Sequence, residues 1–406
     1  MAQDLPQYAI TTSAARARKR LTVALWTTNL SSVIASNLTY IYLASFIYRQ
    51  TGRIEWSNIT LMCPMAIPVV ACFGIASITR RSGPRRIFAV ANGCALGITL
   101  LLLLVLGHYP LAALAGATLI GVVDALQRVT RIVALKAFYP DGDVKTAVPI
   151  ALSAQFIAGG LAGVLMGLAP NEAAPAVVLP WIGALFALAG AVSLLLPVVP
   201  TQHASTVEAN SSVSKLLGAL DAHPEMRGHF VRVVMFIGVF QGFYNLSRVA
   251  LPAHLLNLSD HYVGLLQLLS SAAMLVGASC FYASARRGWR FAGRREAALI
   301  GICIGASTMA VTLHSPALNF ALYFVYILAF EIMFLQCQAD LVEACPREHV
   351  GTMAAYQYAA MYVAMMVIMG LGSVAVPFIG LNGVALACGV LYVLLYARTR
   401  SRPKPA

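Results

Sequence analysis

Charge is what this chain has least of. Only 11% of its 406 residues are charged, and acids are scarcer than bases, 15 against 28. With 59% hydrophobic residues and a mean hydropathy of +0.77, the composition excludes an ordinary soluble domain. Eight cysteines occur without C-x-x-C or Cys/His ligand spacing, so neither a disulfide framework nor a metal site is expected. They read as small buried residues, including Cys337 and Cys345, which the hydropathy leaves in a loop after the tenth apolar run. No nucleophile–base pair stands out and no loop has room for a soluble catalytic domain, so an enzyme is not expected and no cofactor is implied. A cleavable signal peptide is not expected either, because the first apolar run is long and no small-residue cleavage site follows it.

What remains is apolar sequence in about twelve runs, most near the roughly 20 residues that cross ~30 Å of hydrocarbon. They are 21–48, 57–79, 87–107, 110–130, 146–168 and 176–199, then 229–254, 262–284, 296–314, 317–336, 351–374 and 380–397. Backbone groups in lipid need partners within their own segment, and runs this continuous are not barrel strands, so an all-α membrane protein is expected. The domain reading is a basic tail 1–20, a six-helix half 21–199, a polar central loop 200–228, a second half 229–397 and a tail 398–406. In the central loop Val213, Leu216, Leu217 and Leu220 recur at helical spacing beside Lys215 and Asp221, which fits either a surface amphipathic helix or a plain tether.

The net charge of +13 resembles a nucleic-acid signature until its placement is read. All Lys and Arg except Arg49, Arg53, Arg232 and Arg248 fall in or beside segments on one side of the membrane. Spread over every loop of that side, they make no nucleic-acid face. They give the positive-inside bias, which puts both termini in the cytoplasm.

Two stretches about 206 residues apart read alike. Asn37-Leu38-Thr39-Tyr40 recurs as Asn245-Leu246-Ser247-Arg248, His108-Tyr109-Pro110 as His314-Ser315-Pro316, and the turn Arg80 to Arg86 as Arg286 to Arg290. Two pseudo-symmetric halves follow, with the binding site expected where they meet.

Ionisable residues inside spans are costly and face a cavity or a partner. Asp124 lies 14 residues after Pro110, about 21 Å in at 1.5 Å per residue, which the run 110–130 makes its inner half. Glu331, 15 residues after Pro316, lies at nearly the same depth in the matching run. Both are candidates for binding and releasing protons. Asp124 has a second reading, neutralisation by Arg128 one turn on, whereas Glu331 has no basic residue within a turn. Arg248 is either a cavity residue holding an anion or a side chain reaching the outer surface.

Polar stripes mark the cavity wall. Gln241, Tyr244, Asn245 and Arg248 follow i, i+3, i+4, i+7 spacing, one helix face, and Asn29, Ser36, Asn37 and Tyr40 form a stripe in the first run. Gln155 in the fifth run and Tyr356, Gln357, Tyr358 and Tyr362 in the eleventh extend it. The glycines 159, 160, 163 and 167 form a close-packing run. These groups suit a polar organic molecule better than a bare ion.

The pattern resembles the major facilitator superfamily: two six-helix halves, a central inner loop, and a basic turn after the second helix. That turn usually reads G-x-x-x-D-R-x-G-R-R. Arg81, Gly83 and Arg85 hold their places, while Ala76 replaces the first Gly and Arg80 the acid, so the usual charge latch of this gating loop is not expected. Gln127 to Arg131, Tyr139-Pro140 and Gln155 to Gly163 are similar to the exporter branch with siderophore (alcaligin-type) and macrolide efflux proteins, although Gly160 stands where that branch carries a helix-5 proline. The resemblance implies a monomeric secondary transporter of the bacterial inner membrane whose partners are a small-molecule substrate, protons and the bilayer. Export of a small polar metabolite, a siderophore first, is the leading expectation. Import of such a solute, or multidrug and macrolide-type efflux, stands as the alternative.

Overall fold

In the computed structural model the chain is described at residues 5–51, 54–139, 141–168, 174–198, 218, 220–256, 260–313 and 315–400. Every long element among them is helical, as a backbone without water requires. The first group is α1 (Leu5–Thr51), α2 (Ile54–Arg81), α3 (Pro84–Val105), α4 (Ala112–Phe138), α5 (Asp141–Leu168) and α6 (Pro175–Ser193). The second begins with α7 (Pro224–Phe236) and α8 (Gly242–Ala250), joined by a π turn at Ile237–Gln241 and followed by another at Leu251–Leu255. It continues with α9 (Asp260–Arg286), α10 (Arg294–Ala310), α11 (Pro316–Ala344) and α12 (Val350–Arg400). Of the central-loop stripe, Val213, Lys215, Leu216 and Leu217 lie outside the described residues; Leu220 is buried and Asp221 pairs with Arg227 at 2.8 Å.

Ten helices among the described residues are long and apolar enough to cross a membrane. The difference from the expected twelve arises at α10, which has 17 residues, and at α12, which has 51. Straight, α12 would measure about 76 Å, more than twice the hydrocarbon thickness. Gly380 interrupts it at φ 72°, where a Cβ would meet Asn382 Oδ1 at 2.7 Å, so only glycine fits.

Two helix ends correct the hydropathy reading. α4 runs to Phe138 and α11 to Ala344, each eight residues beyond the limits 130 and 336. Their last two turns carry Arg131, Lys136, Gln338 and Asp340, which depress hydropathy although the protein buries most of their surface. Cys337 therefore lies inside α11 and Cys345 caps it, rather than both lying in a loop. Asp124 and Glu331 stand near the middle of their helices, not in the inner half.

Within the first group α1 packs on α2, α4, α5 and α6, and α3 on α4 and α6; in the second, α11 packs on α7, α9 and α10. The two groups meet along α2–α12, α5–α9, α4–α12 and α5–α11. No seam of comparable extent joins α1 to α7 or α8 among the described residues. Aromatic rings fill the second core: Phe236 stacks on Phe330 at 5.4 Å, and Tyr392 meets Phe236 and Phe240. Tyr326 Oη donates to Phe240 O of the first π turn at 2.6 Å. Outward-facing Val70, Leu104, Trp181 and Phe378 are over 70% exposed, as lipid-facing side chains are.

Candidate functional site

A cavity of about 390 Å³ lies between the two groups of helices. That volume falls in the range of sites for molecules of drug-like size. Its wall takes Asn37 and Tyr40 from α1, Asp124 and Arg128 from α4, Gln155 and Gly159 from α5, and Gln241, Tyr244, Asn245 and Arg248 from the end of the first π turn and α8. Gln267 and Ser271 come from α9, Glu331 from α11, Tyr358 and Tyr362 from α12. The α8 residues stay on one face because α-helical spacing holds from Gln241 onward. Apolar surface is supplied mainly by methionines and phenylalanines, including Met65, Met361, Phe156 and Phe334.

The charged groups differ in kind. Arg128 Nε donates to Asp124 Oδ2 at 2.9 Å, an i, i+4 ion pair on α4. Glu331 is 0% exposed, and neither carboxylate oxygen has a hydrogen-bond partner among the described residues. A carboxylate without a partner is costly in a protein interior, and a bound proton or cation removes that cost. Its position is fixed from behind: a Cβ at Gly277 of α9 would lie 2.9 Å from Glu331 Cβ and 3.0 Å from Leu328 O. Arg248 is exposed, lies over the Tyr244 ring at 5.9 Å and reaches Gln267 Oε1 at 3.5 Å, pairing with no acid among the described residues. Tyr244 Oη also donates to Gln267 Oε1, at 3.1 Å.

Four expected wall residues lie elsewhere: Asn29, Ser36, Tyr356 and, most deeply committed to packing, Gln357. Its amide exchanges hydrogen bonds with Gln338 of α11 at 2.5 and 3.4 Å, wholly buried. Tyr356 instead meets Phe73 of α2 edge-on at 5.5 Å. Successive helical residues point about 100° apart, so only Tyr358 of the three turns to the cavity. On α1, Asn29 and Ser36 are buried without partners for their side chains, outside the wall that Val33, Asn37 and Tyr40 form. Gln267 and Ser271 are wall residues missed in the sequence. With Met274 they follow i, i+4, i+7 spacing, a stripe as readable as that of α8.

At one end the cavity is closed by contacts between the groups. Thr79 of α2 and Val133 of α4 crowd Gly351 of α12, where a Cβ would lie 2.7 Å from Thr79 Oγ1 and 3.7 Å from Val133 Cγ2. Beyond them Lys145 of α5 pairs with Glu343 at 2.6 Å and Asp340 at 3.6 Å, and Lys136 Nζ donates to Glu343 O at 3.0 Å. Arg232 holds Glu296 at 2.8 Å and reaches Asp340 at 4.0 Å. This is the basic face of the protein, the side of the α2–α3 turn. There Gly83 caps α3 with Pro84 at its first position, and Arg81 and Arg85 make no ion pair among the described residues. Gly159 and Gly160 meet Ser271 across the α5–α9 seam, at 4.0 and 3.5 Å from a Cβ, while the side-chain surroundings of 163 and 167 lie outside the described residues.

Three solved structures share this architecture. The human organic anion transporter MFSD10 (TETRAN) matches at 14% identity and a TM-score of 0.74, covering 94% of this chain and 99% of that one. A bacterial homologue of the iron transporter ferroportin in its outward-facing state matches at 12% and 0.70, covering 94% and 100%. The E. coli fucose:proton symporter FucP matches at 11% and 0.74, covering 95% and 98%. At such identities the likeness is one of fold. No curated protein sequence matches significantly. The sequence profile of the Major Facilitator Superfamily matches residues 25–357. With that match and this helical architecture, the chain is a multi-pass membrane transporter, not an enzyme, and belongs to the Major Facilitator Superfamily.

Proposed function

We propose that this protein is a proton-coupled secondary transporter that exports a small polar metabolite across the bacterial inner membrane, with its basic face in the cytoplasm. The observation that carries the reading is Glu331: a carboxyl with no partner, at the cavity wall, across from a second acid whose partner is on its own helix. A proton bound at Glu331 in one shape and released in the other ties the gradient to the movement of substrate. Asp124 is the second proton site, with Arg128 as its competing partner. Asn37, Tyr40, Gln155, Gln241, Tyr244, Asn245 and Tyr358 offer amide and phenol groups to a polar solute, and Arg248 offers an unpaired cation.

A siderophore is the substrate class the exporter-branch resemblance favours, and a cavity of about 390 Å³ with mixed amide and apolar walls accommodates one of modest size. Import is the second reading. It uses the same residues, since an acid that binds and releases protons serves symport as well as antiport.

The test is Glu331→Gln in proteoliposomes. Accumulation driven by an imposed pH gradient is lost, while exchange of substrate between the two sides without a gradient persists. Undiminished gradient-driven accumulation overturns the coupling role. Retention of siderophore inside knockout cells in iron-poor medium supports export, and failure to use supplied siderophore supports import.

A further inference from the structure

Arg131 is the largest wholly buried side chain among the described residues, and the mechanism above leaves it unused. It is 0% exposed, and all three guanidinium nitrogens lack a hydrogen-bond partner among the described residues. It sits on α4 one turn past Arg128, so about 4.5 Å closer to the basic face. Two residues further, Val133 meets Gly351 in the contact that closes the cavity. Tyr358 of α12, itself a wall residue, acts on it electrostatically from the other group of helices, as Arg128 and Asp124 do from α4. Arg131 therefore stands directly beneath the cavity floor, between the wall and the seal, at a junction of the two groups.

The local charge count is uneven. Asp124 is paired with Arg128 and acts on Arg131 only from beyond ion-pair distance, so among the described residues no acid contacts the Arg131 guanidinium. A buried ion with no partner is among the most costly things a protein can hold, and stability alone favours an apolar side chain there. A guanidinium that stays unpaired while the floor is shut has its hydrogen-bonding capacity free when the floor opens. Parting Val133 from Gly351 uncovers it from the basic face.

We propose that Arg131 is an anion-binding station that forms only in the shape open to the basic face, where it takes the carboxylate or similar group of an organic anion by paired N–H···O bonds. Arg248 would serve the same anion at the opposite end, so the two cations define one site for each side. This rests on the transporter reading and narrows its substrate to anions.

The test needs no gradient and so is independent of proton coupling. The seam is loosened with Lys145→Ala and Glu343→Gln together, and purified protein is titrated with citrate and with its uncharged triethyl ester. Citrate is expected to bind the loosened protein on the order of tenfold more tightly than the same protein carrying Arg131→Met, with Arg131→Lys intermediate and the ester indifferent to all three. Arg131→Met is also expected to raise the melting temperature of the otherwise unaltered protein, because it removes an unpaired buried charge. Equal citrate affinity with and without Arg131, no citrate binding to the loosened protein, or a melting temperature lowered by Arg131→Met each overturns the proposal, the last by making Arg131 a packing residue. Normal gradient-driven transport by Glu331→Gln, in contrast, would leave this site standing.

Discussion

Lys136 Nζ donates to the backbone oxygen of Glu343 at 3.0 Å, and the two residues are 207 positions apart. Asp124 and Glu331 have that same separation. Lys136 and Glu343 are thus repeat-equivalent positions of α4 and α11 that touch, as residues do only beside the axis relating two similar halves. The basic face is closed at that axis, and Lys145, paired with both Glu343 and Asp340, is its outer bolt.

Lys145→Ala removes both ion pairs of that bolt, whose side chains are one-third exposed or less. The seam should weaken by about 1 kcal/mol, roughly a fivefold shift toward the shape open on the basic face. Faster labelling of a cysteine placed at Val133 from that face measures it. Lys145→Arg should restore closure, and an unchanged rate would show that the apolar contacts of Gly351 hold the floor alone.

Cys345 is a native reporter at the same end. It is 1% exposed, and burial pushes its thiol up to about 12, with Lys136 opposing the shift only in part. Because the thiolate is the reactive form, a maleimide should leave Cys345 unmodified at pH 7 to 8. The raised value also fixes a sign: the unfolded thiol ionises near 9 while the folded one stays protonated, so this residue subtracts stability as pH rises from about 9 to 12. Mass spectrometry after timed labelling checks the first expectation and melting curves across that range the second.

Gly277→Ala should damage transport more than its size implies. The new methyl would press on Glu331 Cβ and on the fixed carbonyl of Leu328, which forces α9 off α11 at the unpaired acid. Overpacking of this kind costs about 1–3 kcal/mol. Gly160→Ala, with its nearest neighbour at 3.5 Å, should be silent, and equal effects of the two would remove the special status of Glu331's surroundings.

Gln357→Leu and Asn245→Ala separate packing from recognition. Losing Gln357 strands the buried Gln338 amide and should lower stability by about 1–3 kcal/mol with little change in substrate affinity. Asn245→Ala removes a cavity amide and should raise KM with little change in melting temperature. Thermal melting beside transport kinetics reads both, and reversed behaviour would exchange the roles assigned to the two residues.

The membrane-spanning helices, the repeat and the stripe on α8 were legible in the sequence because each depends on local composition and spacing. Lipid excludes polar groups residue by residue, so hydropathy marks spans, and a stripe at i, i+3, i+4, i+7 marks a face. Depth was read less well. Hydropathy ended α4 and α11 eight residues early because it scores Arg131, Lys136 and Asp340 as if they were bare, whereas the partner helices bury them. The same limit hid which of Tyr356, Gln357 and Tyr358 faces the cavity, since a 100° turn per residue needs a neighbour to orient it. The sequence by itself thus determined a helical membrane protein with two acids inside its spans. Only the tertiary structure decided which charges pair: Asp124 with Arg128, Lys145 with Glu343, and Glu331 and Arg131 in no ion pair among the described residues, because pairing across helices depends on contacts between residues far apart in the chain.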